Sequence, residues 1–242
     1  MTAGAASPVV ILLPPSEGKA VGGKPPGWSP DSGRFAQPLG AMRREVAEAL
    51  LRGGGGDQQL LGVGGKHLDR ARAANSSLIG SPVLPASARY TGVVADALSP
   101  STLPPAARRR ASSDVIIVSG LLGAVGFDDP VPDYRLKMGA KLEPFGTMSR
   151  WWKPTLTALF NDLLQGVTVI DLLPAEHAAA WEPDASLNVL SISFVDRTGK
   201  VAGHDAKAAK GRFARHLLCS TAGIERRIKG FSDERFVPQV RQ

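Results

Sequence analysis

The chain is short of the residues from which several kinds of site are built. It has one cysteine, Cys219, in 242 residues, which excludes a disulfide framework and a cysteine-based zinc site. A lone thiol fits a reducing compartment. No apolar run approaches the ~18 residues of a membrane helix. The first apolar run, Val9 to Leu13, is too short for the core of a secretion signal, and no basic stretch precedes it. A cytoplasmic protein with no membrane partner is expected. The four histidines, His67, His177, His204 and His216, show no ligand spacing, so neither a metal nor a cofactor is expected. Aromatic residues make up only 6%, which argues against a base-stacking groove for single strands.

What remains is an ordinary globular composition, 43% apolar and 21% charged. The net charge of +7 is unevenly placed. Residues 197–229 hold nine basic groups, from Arg197 and Lys200 to Lys229, against Asp205 and Glu225, while the rest of the chain balances. Such a stretch points to an anionic partner.

Short β-branched runs predict buried strands at Val9–Leu13, Val115–Val118 and Val167–Ile170, and alternation predicts a fourth over Ser186–Val195. Helices are expected over 37–52, 57–61, 66–75, 151–165, 174–181, 204–220 and 222–229, with Pro154 in a first turn. The proline-rich stretch 80–110 reads as irregular, and 20–33 and 126–132 as loops. Strands and helices alternate without a long linker. A single mixed α/β domain spanning residues 1–242 is therefore expected.

Two glycine-rich stretches follow predicted strands. Ser16-Glu17-Gly18-Lys19 lacks the upstream glycine and the Ser/Thr of a nucleotide-hydrolysing phosphate loop. Gly120 to Gly126 lacks the dinucleotide spacing, and Ser119 lacks the flanking glycines of a nucleophile elbow. A third stretch, Leu60 to Leu68, fits the hairpin of a helix-hairpin-helix module within 57–76, or a plain glycine-rich turn. In the first reading Val63 plugs the core, Gly62 and Gly64 take φ > 0, and free N–H groups with Lys66 face a phosphate. Projecting 204–220 as a helix places Ala206, Ala209, Phe213 and Leu217 on one face. His204, Lys207 and Arg215 fall opposite, with Lys210 at the edge.

The ordered set of segments PPSEGK, GGKHLDRARAAN, RYTGV, VSGLLGAV, PDYRLKMGAKL, VIDLLPAEH and AKAAKGRFAR resembles the peroxide stress protein YaaA family across most of the chain. The resemblance implies a compact domain of unusual topology with a helix-hairpin-helix and a basic cleft. It also implies a role in peroxide resistance, in limiting free iron, and in binding double-stranded or branched DNA. On the matching positions, the DNA-binding set is Gly62, Gly64, Lys66, Arg135, Lys137, Lys207, Lys210, Arg212 and Arg215. Ser16–Lys19 departs from the family's shorter form, and Leu122 and Phe127-Asp128 alter the stretch before Tyr134. The leading expectation is a non-enzymatic or weakly enzymatic DNA-binding protein of the oxidative stress response. The alternative is an enzyme acting on a nucleobase or a phosphate-bearing small molecule in a pocket around Lys19, Tyr90 and Arg135, with Glu176 beside them.

Overall fold

A computed structural model describes residues 8–196, 198–199 and 206–241. The core is a six-stranded sheet in the order Phe236–Arg241, Asn188–Asp196, Thr168–Asp171, Val9–Leu13, Val115–Ser119, Gly123–Gly126. The inner four strands are parallel, and each edge strand is antiparallel to its neighbour. Val9–Leu13 and Val115–Ser119 are buried along their whole length, as expected for parallel strands covered on both faces. The chain thus forms a single mixed α/β domain built on one central sheet.

Helices pack in two groups. Ala36–Arg52, Lys66–Asn75 and Met148–Leu163 pack together, and the first and last of them also meet Gly123–Gly126. Val93–Leu98, Pro105–Asp114 and Ala206–Cys219 form the other group, meeting Asn188–Asp196, Val9–Leu13 and Val115–Ser119. Within this group Phe213 meets Phe194 edge-to-face at 5.7 Å. Gly211 lets two helices touch, because a Cβ there would lie 2.2 Å from the Val94 carbonyl.

Two structural arginines replace hydrophobic packing at loop junctions. Arg43, 1% exposed, donates to the carbonyls of Leu122, Pro30, Ser32 and Ala124. Arg89, fully buried, donates to those of Val131, Ala20, Gly22 and Pro82. Each guanidinium gathers carbonyls from separate stretches of backbone, most of them in loops.

Several elements differ from the sequence-based expectation. The stretch 80–110 is largely ordered, holding Val83–Pro85, Ala86–Arg89, Tyr90–Thr91, Val93–Leu98 and the start of Pro105–Asp114. Its prolines begin elements instead of breaking them: Pro105 is the first residue of its helix and Pro85 the N-cap of another. Pro130–Pro132, expected as loop, pairs with Val83–Pro85. Pro154 lies well inside its helix, which begins at Met148. Its exposed position lets the carbonyl it leaves unpaired meet water. The last strand, Phe236–Arg241, gave no signal because Pro238 sits in it, which an edge strand tolerates. His204 and Asp205, like Arg197 and Lys200, lie outside the described residues.

Strand order fixes where a site can form. From Val9–Leu13 the next parallel strand, Val115–Ser119, lies on one side and Thr168–Asp171 on the other. The crevice at the carboxyl ends of strands around such a switch point is the usual binding place in open α/β sheets. Residues 14–19 and 172–177 leave the sheet there.

Candidate functional site

Lys19 is positioned by a two-residue ladder. Gly18–Lys19 pairs antiparallel with Tyr90–Thr91. Gly18 admits this approach, since a Cβ would lie 2.8 Å from the Thr91 carbonyl oxygen. The Lys19 amine donates to the Ser16 carbonyl at 3.1 Å and sits 4.0 Å from the centroid of the Tyr134 ring. Burial holds its pKa at about 7, with Asp133 pulling it back up and Arg135 pushing it further down. Tyr134 is hydrogen-bonded to Tyr90 at 2.8 Å and to Ser119 at 2.6 Å. Burial raises both phenols, Tyr134 to about 12, so both are neutral at ordinary pH. A Lys amine with this pKa can accept and return a proton near neutrality. Tyr90 is paired with Lys19 across the ladder, and its ring centroid lies 5.5 Å from the Lys19 amine. Both phenols therefore stand beside Lys19, and Tyr134, the nearer, lines the hollow with it.

Arg135 and Lys137 converge on Glu17. Arg135 pairs with its carboxylate at 2.8 Å and Lys137 at 3.4 Å. Burial acts to raise the Glu17 pKa, but the two cations outweigh it and hold the carboxyl below its ordinary value. The Arg135 guanidinium also donates to the Leu61 carbonyl at 2.8 Å. Buried Asn75 bonds both backbone groups of Arg135 and the Gly55 carbonyl, each at 2.9 Å. Arg70 reaches Asp133 at 2.9 Å and the Lys19 carbonyl at 3.1 Å. The helical pair Gln58–Leu61 and Lys66–Asn75 is thereby stapled to residues 133–137.

The turn inside that pair differs in detail from the expected hairpin. Asp57 caps the first helix, accepting from the Leu60 N–H at 2.8 Å. The left-handed residues are Gly62 and Gly65, with φ of 61° and 54°, and not Gly64. Val63 is only partly buried and lines a hollow, while Leu61 is the fully buried plug. The reason is register: the left-handed turn at Gly62 directs Leu61 inward and Val63 toward the groove. Lys137 lies over Gly62, where an added Cβ would be 3.3 Å from its amine. Lys66 is exposed and has no hydrogen-bond or ion-pair partner among the described residues.

The second wall comes from residues 172–177. Lys210 donates to the Leu172 carbonyl at 2.7 Å, and Asp171 accepts from the Leu173 N–H at 2.8 Å. Burial lowers the Lys210 pKa against the opposing pull of Asp171. His177 is 6% exposed. Burial holds its pKa at about 4, with Lys210 adding to the shift, so the ring is neutral at ordinary pH. Its Nδ1 has no hydrogen-bond partner and lies 3.6 Å from Glu176.

Other cations of the expected set hold the scaffold together. Arg215 donates to the carbonyls of Leu98, Ser99 and Thr102, closing the end of helix Val93–Leu98. Arg212 pairs with the carboxylate of Asp233 at 2.6 Å, and that side chain is 2% exposed. Lys207 is exposed and, among the described residues, unpartnered. Of the nine basic groups in residues 197–229, four, Lys210, Arg212, Arg215 and Arg227, thus make internal bonds.

Three adjoining hollows share Glu17 as a wall. One, of about 760 Å³, runs from Pro14–Gly18 past Glu176 and His177 to Lys207 and Lys210. Another, of about 510 Å³, runs from Glu17 and Lys19 to Val63, His67 and Arg70. A small hollow of about 40 Å³ between them is lined by Lys19, Tyr134, Arg135, Lys137, Glu176 and His177. Lys19, Arg135 and Glu176 therefore share one hollow, which adjoins the one reaching the helix Ala206–Cys219. Six Lys/Arg side chains and three Asp/Glu line the three hollows. Sequence reasoning missed Ser193 and gave no partner for His177. Both lie on the larger hollow, and only the position of Glu176-His177 after a strand signalled one of them.

Among the described residues, no helix is long and apolar enough to cross a membrane, and no group of three His, Cys, Asp or Glu is arranged to hold a metal ion. A family model described as peroxide stress protein YaaA matches residues 9–240. A UPF0246 protein of Streptomyces coelicolor is 36% identical over 225 residues, covering 90% of this chain and 85% of that protein. A UPF0246 protein of Corynebacterium glutamicum is 34% identical, covering 88% of this chain and 86% of its own length. One from Ruegeria is 32% identical over a shorter stretch, 59% of this chain and 61% of that protein. With the model match running from the first sheet strand into the last, the chain belongs to the peroxide stress protein YaaA family.

Proposed function

We propose that this chain serves the peroxide stress response by binding the phosphate backbone of double-stranded or branched DNA along the trough formed by the three hollows. Family membership supplies the physiological setting. The observation that carries the reading is the lining of the trough, six Lys/Arg against three Asp/Glu. Lys207 lines the trough, and Lys66 is next in the chain to His67 of its lining; the two stand at the starts of helices Ala206–Cys219 and Lys66–Asn75. Helix N-termini favour anions, and exposed lysines without partners lose no existing bond on meeting a phosphate. Arg135 and Lys137 form partly exposed pairs with Glu17, and such pairs are weak enough to exchange. Lys210, Arg212 and Arg215 act mainly by holding the helix in place.

The test is affinity for duplex, branched and single-stranded DNA across salt concentrations. Each phosphate contact contributes about 0.9 to the log–log slope on duplex DNA. Replacing Lys66 and Lys207 together with Ala is expected to flatten the slope by nearly two and to weaken binding to every sequence alike. A slope unchanged in the double variant would sink the proposal.

A further inference from the structure

Midway along the trough a carboxylate sits on two of its cations. Glu17 lines all three hollows, so a polyanion lying along them meets it. Through residues 134–138 burial alternates. Tyr134, Leu136 and Met138 are buried, while Arg135 and Lys137 are only partly so. A period of two sends alternate side chains to opposite sides, and both cations line the small hollow.

The two cations are fixed more firmly than the carboxylate between them. Asn75 bonds the N–H and the carbonyl of Arg135, and the Leu61 carbonyl accepts from its guanidinium. The Lys137 backbone packs on Gly120, where a Cβ would lie 2.7 Å from the Lys137 carbonyl carbon. Glu17 is the most exposed of the three, its side chain 59% exposed against 18% for Arg135 and 38% for Lys137. The two ion pairs are the only side-chain bonds Glu17 makes among the described residues. One carboxylate oxygen faces Arg135 at 2.8 Å and the other faces Lys137 at 3.4 Å. An arginine and a lysine that grip the two oxygens of a carboxylate can grip two oxygens of a phosphate in the same way. Little is lost in opening pairs this exposed. We infer that Arg135 and Lys137 form a phosphate site that Glu17 occupies in the free protein, and that a bound phosphate displaces the Glu17 carboxylate. Glu17 is thereby an internal competitor that sets the affinity of the trough. The inference rests on the backbone reading for the source of the phosphate, a DNA strand instead of a free phosphate-bearing molecule. The site itself rests on the Arg135–Lys137 geometry.

The test compares wild type, Glu17→Gln, Glu176→Gln, Lys137→Ala and the Glu17→Gln/Lys137→Ala double variant, each checked for folding by a thermal melt. Two ligands are titrated separately, a short DNA duplex and inorganic phosphate. Glu17→Gln should tighten binding about fivefold, the size expected on releasing two partly exposed pairs. It should also steepen the duplex salt slope by about 0.9, one further phosphate contact. Glu176→Gln removes a charge from the same hollow, but from a carboxylate with no Lys or Arg partner among the described residues. It should change affinity less than twofold. In the Lys137→Ala background the gain from Glu17→Gln should shrink to about twofold. A tightened duplex assigns the DNA backbone as the source. Tightening of inorganic phosphate alone assigns a free phosphate-bearing molecule and overturns only the backbone reading. Salt-dependent duplex binding that Glu17→Gln leaves unchanged or weakens would overturn this inference and spare the backbone reading. An equal gain in Glu176→Gln would overturn it too, because the effect would then be one of overall charge.

Discussion

A lysine enclosed beneath an aromatic ring makes stability depend on pH in a defined direction. The Lys19 pKa is about 7 when folded and 10.5 as its ordinary value. Above 10.5 the amine is neutral in both states and contributes nothing. As pH falls toward 7 the unfolded chain takes up a proton that the folded chain does not, so stability declines, and below 7 the penalty is complete. Lys19→Met removes that dependence. In urea melts at pH 6.5 and 9, wild type should gain stability relative to Lys19→Met on going to the higher pH. The opposite trend would show that the amine is not enclosed. His177 acts in the same sense at lower pH, its cost appearing between 6.5 and about 4. Arg43 makes the contrasting case. It donates to four carbonyls in a place that is 1% exposed, so Arg43→Leu should cost about 3 kcal/mol or more, measured by denaturant unfolding.

At the scale of elements, two effects compete in the helix Ala206–Cys219. Gly211→Ala would improve helix propensity by up to about 1 kcal/mol. It would also drive a methyl into the Val94 carbonyl and the Ala97 side chain, and overpacking of that kind typically costs about 1–3 kcal/mol. Packing wins, so the expected outcome is a lower melting temperature; a higher one would mean that the two helices can separate freely. The same helix shows what a sequence does and does not declare. Its apolar face, Ala206, Ala209, Phe213 and Leu217, follows from periodicity and is buried. The destinations of its cations do not follow, because Arg215 and Arg212 meet Leu98 and Asp233, groups placed by other elements. The prolines between 80 and 110 misled for a local reason. Only the first helical position distinguishes a starting proline from a breaking one, and composition does not reveal it.

Across the whole molecule, the parallel strands were legible because β-branched runs of four or five residues have few alternatives once buried. The candidate site was legible only where its residues also carry family motifs. Lys19, Arg135, Glu176 and Lys207 come from four separated segments, and their meeting depends on a strand order that no local pattern encodes. Tyr134 joining Tyr90 beside Lys19, and Ser193 on the cleft, follow from tertiary placement alone. Deleting residues 236–242 tests how far the sheet depends on its edge. Without that strand, Asn188–Asp196 becomes an exposed edge, so the truncated chain should melt earlier and aggregate, by light scattering, at concentrations where the full chain stays dispersed.

That edge pairing also ties the cleft to the rim of the sheet. Ser193, on the strand that lines the larger hollow, is opposite Gln239 of the edge strand. The wall of the cleft is therefore only one strand away from solvent, and whatever loosens the rim loosens that wall first.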